Sequence, residues 1–301
     1  MQFGKVPNPE TIDFTLPKDH IDTSTVFNNS FIGKTDFYIG CAKWNKQDLK
    51  GFYPKGTKDE LKYYSTQFNS IELNATFYNL YPLEQFQKWH DKTPVDFKFY
   101  PKITKSISHD HQLDDGSYPI TEIFLNQVIG LKEKLGTIFL QMHEEFSPQN
   151  FRKLKDFIET WPTQIPLAIE LRHTDWYNTN VASQLYQLYQ NKNISNIITD
   201  TAGRRDLLHM RLTNSKVFIR FVGSNHSSDY KRLDEWIDRI EHWSKKGIES
   251  ISFFVHQNIE IESVLLSSYF IKNLNKRLGL NIKVPKTLLD IKGLQQTLFD
   301  F

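Results

Sequence analysis

Short apolar or aromatic runs alternate with longer segments of helical period along the chain from Asp36 onward. This alternation is typical of repeated βα units, in which a strand of a parallel sheet is followed by a helix that packs on it. The runs recur at intervals of roughly 30 residues, the usual length of such a unit. Eight runs predict eight strands: Asp36–Cys41, Ser70–Asn74, Asp96–Lys102, Thr137–Met142, Pro166–Leu171, Ser195–Thr199, Lys216–Phe221 and Ser250–Val255.

Eight consecutive βα units predict an α/β fold of the (β/α)8 type, a TIM-like barrel, which uses about 250 residues as one unit. We expect the barrel to occupy residues 36–275, preceded by an N-terminal arm, 1–35, that packs on it or caps its base, and followed by a C-terminal tail, 276–301. The sixth unit is the least regular, because Arg204–Arg211 fits either a short helix or an extra strand. A doubly wound open sheet is therefore the alternative fold.

Two of the intervening segments carry large apolar side chains at helical spacing. Such a stripe is typical of the helix face that packs on a sheet, so we expect these side chains to be buried rather than to bind a cofactor. The stripes are Leu154, Phe157, Ile158 and Trp161, and Leu233, Trp236, Ile237, Ile240 and Trp243.

Composition narrows the class of protein. Hydrophobic residues make up 39% of the 301 residues and charged residues 24%, which indicates a globular chain, and the net charge of +2 creates no overall field for nucleic acid. Cys41 is the single cysteine, which excludes an intramolecular disulfide and a cysteine-based zinc site and favours a reducing, cytoplasmic location. The chain lacks a signal-peptide pattern and a run of 18 apolar residues, so we expect no membrane association.

Ionisable and amide side chains follow the predicted strands. In a parallel barrel the loops after the strands form one face, here called the rim, where catalytic groups gather. Glu170 and Arg172 alternate with Leu171 and so face the same side of their strand, where burial is costly unless they pair or face a solvated site. A salt bridge that stabilises the rim is the structural alternative for this pair. The other strand-end candidates are Glu72, Lys102, His109, Gln141, Asp200 and Arg220.

Several ordered motifs extend over roughly residues 36–260. They are Tyr38–Gly40 with Trp44, Phe52–Pro54, Ile71–Tyr78, Ala168–His173 with Trp176, and Phe218–Arg220. Together they resemble the YecE-like proteins, a family known as domain of unknown function 72, and this resemblance implies a TIM-barrel fold without implying an activity. The chain departs from the family pattern at Arg220–Gly223, where Arg-Leu-His-Gly is usual, and at His256–Asn258, where the usual Asn-Asn is displaced.

The strand-end residues suggest an enzyme that acts on a phosphorylated or other anionic substrate, as a hydrolase or a lyase. Lys102, Arg172 and Arg220 are suited to phosphate or carboxylate, with Gln141 beside them. Glu72, Glu170 or Asp200 is the expected general base, and His109 the acid or proton shuttle. No cofactor is predicted. A divalent metal held by histidines and carboxylates is an alternative, although no compact metal-binding motif occurs.

Aromatic residues and the end of the chain support a second hypothesis. Trp44, Tyr53, Phe77, Tyr78 and Trp176 could form a stacking wall for a base or sugar, or could pack in the core or in loops. The tail motif, Gln295-x-x-Leu298-Phe299, resembles the peptide by which DNA-replication proteins bind the bacterial sliding clamp, or it packs on the barrel. The alternative function is thus a non-catalytic, nucleic-acid-associated module recruited by its tail.

Overall fold

Parallel strands alternate with α-helices in the computed structural model, which describes residues 5–28 and 33–287. Each of the eight predicted runs contains a strand, so the mixed α/β class and its βα order are confirmed. The strands are β1 (Asp36–Cys41), β2 (Ser70–Leu73), β3 (Lys98–Pro101), β4 (Ile138–Gln141), β5 (Leu167–Glu170), β6 (Ser195–Asn196), β7 (Ile198–Thr201), β8 (Lys216–Val222) and β9 (Ser250–His256). The helices are α1 (Glu60–Ser65), α2 (Ala75–Tyr78), α3 (Leu83–Lys92), α4 (Ser117–Val128), α5 (Phe151–Thr160), α6 (Thr179–Asn191), α7 (Ser228–Ser244) and α8 (Ile261–Leu278).

The strands of the described residues pair in three parallel sheets. One has the order β1-β9-β8-β7, the second contains β2 and β3, and the third has the order β4-β5-β6. The ladder is therefore interrupted between β1 and β2, between β3 and β4, and between β6 and β7. The barrel prediction requires a single closed sheet, whereas the strands of the described residues pair in three separate sheets.

Hydrogen bonds outside the ladders connect strands across two of these interruptions. The Asn69 side chain donates to Phe37 O at 2.7 Å and accepts from Ile39 N at 2.9 Å, so it satisfies the β1 backbone beside β2. Gly136 N donates to Phe99 O at 2.8 Å, which ties β3 to the start of β4. Gly40 is required at the β1–β2 contact, because a Cβ there would lie 2.2 Å from Ser70 O.

The sixth predicted run forms two short strands, and this break sets the direction of the side chains that follow. β6 pairs with β5, whereas β7 pairs with β8. Thr199 is the register partner of Arg220 and Asp200 that of Phe221, so Thr199 and Asp200 face opposite sides of the sheet. The segment after β7 forms a 3-10 helix, Ala202–Leu207, rather than an extra strand.

Both predicted helical stripes lie on α5 and α7 and are buried, as expected. The N-terminal segment packs against α7: Leu16 N donates to Glu235 at 2.9 Å, and Asp19 accepts from Arg239 at 2.5 Å and from the Trp243 indole at 2.9 Å. Within the described ranges, no helix has the length and apolar character that crossing a membrane requires.

An apolar cluster of side chains lies on the inner side of the strands. Its members come from β3, β4, β5, β8 and β9 and from the residue between β6 and β7. Tyr100 contacts Phe254 and Phe218 with ring centroids 4.8 and 5.7 Å apart, and Phe139 lies 5.4 Å from Phe218. We call this cluster the aromatic layer. It consists of Tyr100, Phe139, Ala168, Ile197, Phe218 and Phe254.

We expect Asn69→Ala to lower the free energy of unfolding by about 1–3 kcal/mol, because the substitution leaves Ile39 N–H and Phe37 C=O without their partner. Urea unfolding would measure the change. Asn79→Ala, in an exposed loop, is the matched control and should shift the value by less than about 0.5 kcal/mol. Equal effects of the two substitutions would contradict a bridging role for Asn69.

Candidate functional site

Charged and amide side chains meet at the carboxyl ends of β2, β3, β4, β5 and β8, next to the aromatic layer. Gln141 and Glu170 are register partners and therefore face the same side of their sheet. The Arg220 guanidinium lies 5.6 Å from the Phe139 ring centroid, which connects the two layers. We call this group the ionic layer. It consists of Glu72, Lys102, Gln141, Glu170, Arg172 and Arg220.

Arg220 joins the carboxylates of two strands. Its Nη2 and Nε donate to the two oxygens of Glu72 at 2.8 and 3.0 Å, and its Nη1 donates to Glu170 Oε2 at 2.6 Å. All three side chains are buried, so these charge-assisted bonds form away from water. Glu170 also accepts from Arg172 Nε at 2.7 Å. The salt bridge that the sequence offered as a structural alternative is therefore present, as part of a larger network.

These ion pairs determine how Glu72 and Glu170 titrate. Burial raises the pKa of each carboxyl, but the charges and hydrogen bonds of Arg220 and His256 together outweigh it and hold the pKa of Glu72 well below its usual range. Burial likewise opposes ionisation of Glu170, and Arg172 and Arg220 together lower its pKa to about 2. Both groups are ionised at neutral pH and are weak proton acceptors. The expectation that one of them is the general base does not fit this geometry.

The side-chain oxygen of Gln141 accepts hydrogen bonds from all three cations of the ionic layer. Its Oε1 accepts from Lys102 Nζ at 3.1 Å, from Arg172 Nη2 at 2.8 Å and from Arg220 Nη1 at 3.1 Å. An uncharged oxygen orients these three donors without neutralising them. The three cations thus meet at one point, where Glu72 and Glu170 compensate two of their charges.

Lys102 has the least compensated charge in the layer. Only 7% of the residue is exposed, its Nζ lies 4.0 Å from the Phe77 ring centroid, and among the described residues it forms no ion pair with a carboxylate. Burial, reinforced by the charges of Arg220 and Arg172, lowers its pKa to about 7. Part of the Lys102 population is therefore a neutral amine at neutral pH.

His109 lies in a single π-helical turn, Ser106–Asp110, after β3, and such turns occur frequently at functional sites. Its ring centroid is 5.0 Å from that of Phe77 and 5.3 Å from that of His143. Burial and the charge of Lys102 lower the pKa of His109 to about 4. The imidazole is neutral near pH 7, so of the two roles that the sequence suggested, acid and proton shuttle, this pKa fits the acid poorly.

His256 joins the network although the sequence analysis did not select it. Its Nε2 lies 2.9 Å from Glu72 Oε2, and Asn74 donates to Glu72 Oε1 at 2.8 Å. The available signal was its position directly after the last predicted strand run. Its relation to Glu72 depends on strand packing, which spacing along the chain does not reveal.

Asp200 does not lie in the ionic layer, contrary to expectation. It is fully buried on the helix side of β7, where it accepts from Arg205, pairs with Arg232 at 2.9 Å and accepts from the Trp236 indole at 2.8 Å. Thr199 faces the inner side instead. Its Oγ1 has no hydrogen-bond partner among the residues described.

Of the predicted aromatic wall, Phe77 lies beside Lys102 and His109, while Tyr53 is buried against Phe52. Trp176 is fully buried, stacks on Phe146 at 5.9 Å and donates its indole N–H to Phe146 O at 2.6 Å, so it is a core residue. Trp44 is half-buried against Trp89, whereas Tyr78 is 74% exposed. These three rings therefore lie in different environments.

Two further predictions concern metals and the tail. In residues 5–28 and 33–287, no group of three or more histidine, cysteine or acidic side chains is arranged to hold a metal ion. The tail residues Gln295, Leu298 and Phe299 lie outside the described residues, so clamp binding stays a prediction.

A cavity of about 610 Å³ lies at the amino end of β1, beside Asn69 and Ile282, and is separate from the ionic layer.

The family model described as "Protein of unknown function DUF72" matches residues 38–288. The chain belongs to the DUF72 family. Among curated relatives of this DUF72 chain, the UPF0759 protein YecE of Escherichia coli K12 is 27% identical over 68% of the chain and 81% of the relative. The UPF0759 protein YunF of Bacillus subtilis is 26% identical over 62% of the chain and 70% of the relative.

Solved structures of the family have the same fold. A DUF72 family protein of Thermotoga maritima superposes with a TM-score of 0.67 and 25% identity, covering 80% of this chain and 99% of that protein. A DUF72 family protein of Enterococcus faecalis gives 0.68 and 20%, covering 83% and 99%. The resemblance predicted from the motifs is confirmed, and none of these names states an activity.

Asp200→Asn should lower the free energy of unfolding by about 1.5–3 kcal/mol, because it removes the carboxylate shared by Arg205 and Arg232 and leaves Arg232 with Asp229. Chemical denaturation provides the measurement. Asp206→Asn removes an exposed partner of Arg204 and should cost about 0–1 kcal/mol. A loss for Asp200→Asn no larger than that of the control would contradict the structural role.

Lys102→Met should change the pH dependence of stability. Lys102 loses its proton near pH 7 in the folded chain and near its ordinary value of 10.5 in the unfolded chain. Between about pH 7 and pH 10.5 only the unfolded chain holds the proton, so wild-type stability rises with pH. The cost of burying the protonated lysine is complete below about pH 7 and absent above about pH 10.5. The stability of the variant relative to wild type should therefore fall from about pH 7 to about pH 10 in urea unfolding. A pH-independent difference would contradict a buried, depressed lysine.

Proposed function

We propose that this DUF72 chain is an enzyme that acts on a small phosphorylated or carboxylated substrate by proton transfer at the ionic layer. The observation that supports this best is the convergence of Lys102, Arg172 and Arg220 on the single oxygen of Gln141. Three cationic side chains face two carboxylates, Glu72 and Glu170, so one positive charge is uncompensated when Lys102 is protonated. An anionic group of the substrate would balance it.

Substrate binding and protonation are coupled in this proposal. The Arg220 guanidinium is already bound by two carboxylates, whereas within the described part of the chain Lys102 has the neutral Gln141 and Phe77 as its direct partners. An anion beside Lys102 would favour its ammonium form and raise its pKa. The same lysine would then hold a proton while the anionic group lies beside it and become a neutral amine once that group moves away.

Proton transfer is assigned to Lys102 and His109. Lys102, with a pKa of about 7, can accept a proton near neutral pH, whereas His109, with a pKa of about 4, is neutral there and can pass a proton on without holding it. Glu72 and Glu170 hold Arg220 in place and stay ionised, so in this proposal they bind charge rather than exchange protons. Hydrolase and lyase chemistry both require such a proton acceptor, and the proposal includes both.

We also infer that the three sheets enclose one barrel-like layer. Asn69 connects β1 to β2, and Gly136 N connects β4 to β3. Ser195 Oγ donates to Lys216 O at 2.7 Å, which joins the sheet of β6 to that of β8. These bonds support the (β/α)8 arrangement in which strand ends converge on one site.

Anion binding provides the direct test. Calorimetric titration with inorganic phosphate should show saturable binding, and Arg172→Met should weaken it by about tenfold or more, since a hydrogen bond to a charged group contributes about 1.5–3 kcal/mol. Arg152→Met is the control, because Arg152 is 93% exposed on α5 and belongs to an ordinary surface pair. The absence of phosphate binding, or equal weakening by both substitutions in folded protein, would contradict the proposal.

A further inference from the structure

We propose that Lys102 is a nucleophile that forms an imine with the carbonyl group of an anionic aldehyde or ketone. This inference rests on the proposed function, because the same ionic layer supplies the anion site, and it names the substrate class. It assigns Lys102 to covalent catalysis rather than to charge binding alone.

The surroundings of Lys102 differ from those of a lysine that serves as a structural cation. The two carboxylates of the layer are bound by arginines, and the contacts of the Lys102 amine with the described residues are to an amide oxygen and an aromatic ring at the distances given above. A lysine that is desolvated and lies next to other cations is the kind that proteins use for imine chemistry. Arg172 and Arg220 are those cations here.

The amine lies close to the more open part of the site. Arg172 has 20% of its side chain exposed and His143 has 39%, and the partly buried His109 ring lies between His143 and Phe77. A small carbonyl compound could enter beside these groups. Deeper in the layer, the Thr199 hydroxyl faces inward at the level of Arg220 and has no partner among the described residues. It offers a hydrogen bond to a bound molecule.

The reaction consumes one neutral amine and one carbonyl compound. The nitrogen lone pair of Lys102 attacks the carbonyl carbon, a C–N bond forms, and the oxygen takes up the proton that the nitrogen loses. The hydroxyl of this carbinolamine then takes up a second proton and leaves as water, which gives a protonated imine. No oxidant or reductant takes part. His109 is the nearest candidate to relay these protons, because it shares the Phe77 contact with Lys102.

Reductive trapping tests the inference. The full-length protein is incubated with pyruvate, glyoxylate or dihydroxyacetone phosphate in the presence of sodium cyanoborohydride, which reduces an imine to a stable amine. Intact mass measurement followed by peptide mapping should locate the adduct at Lys102. The uncharged ketone acetone should give less adduct there, because it lacks the anionic group.

Two variants make the experiment specific. Lys102→Arg keeps a cation but cannot form the imine, and it should abolish the mapped adduct. Lys105→Arg changes an exposed lysine on the same loop and should leave the adduct intact. Phosphate titration of each protein runs in parallel, and circular dichroism checks that each is folded.

The outcomes separate this inference from the proposed function. Adducts only at exposed lysines, in protein that binds phosphate, would overturn the imine inference and leave the anion site standing. Failure of the wild-type protein to bind phosphate would contradict the proposed function itself. Specific labelling of Lys102 by an anionic carbonyl compound, lost in Lys102→Arg alone, would support both.

Discussion

The buried guanidinium of Arg220 is the interaction on which the arrangement of the strand ends depends. It binds carboxylates from β2 and β5 while its own strand, β8, belongs to a different sheet from either. Three separate sheets are thereby joined through one side chain. Replacing any member would leave an unpaired charge in a dry interior, which is more costly than the pair itself is favourable.

The aromatic layer strengthens the interactions between the charges of the ionic layer. Tyr100, Phe139 and Phe218 exclude water from below, so charges above them interact more strongly than they would at a surface. In such surroundings each carboxylate binds an arginine and loses its capacity to accept a proton. Among the described residues, Lys102 is the cation of the layer that pairs with neither carboxylate, and the proposed chemistry is assigned to it. Which side chains at this site can exchange protons therefore depends on which charged groups are paired with each other, and not only on which residue types are present.

The sequence predicted the strands, the helical stripes, the family and most of the ionic layer, because period and strand-end position report these features directly. It did not predict the roles. Glu72 and Glu170 were expected to act as bases, which depends on distances to Arg220 that no spacing encodes. Asp200 was misplaced because the break at Ile197 shifts the alternation of side chains in β7. Trp176 was placed at the rim because its burial against Phe146 depends on loop packing.

The span of the Arg220 network along the chain bears on how the protein folds. Glu72 and Arg220 are 148 residues apart, and Glu170 and Arg220 are 50 apart. Contacts of such separation form only after long loops have closed, which costs conformational entropy and slows folding. An assembly that lacked β8 would leave Glu72 without its guanidinium partner and Glu170 with Arg172 but without Arg220. The ionic layer therefore favours folding that brings all the strands together. It disfavours compact folding intermediates formed by the first half of the chain alone.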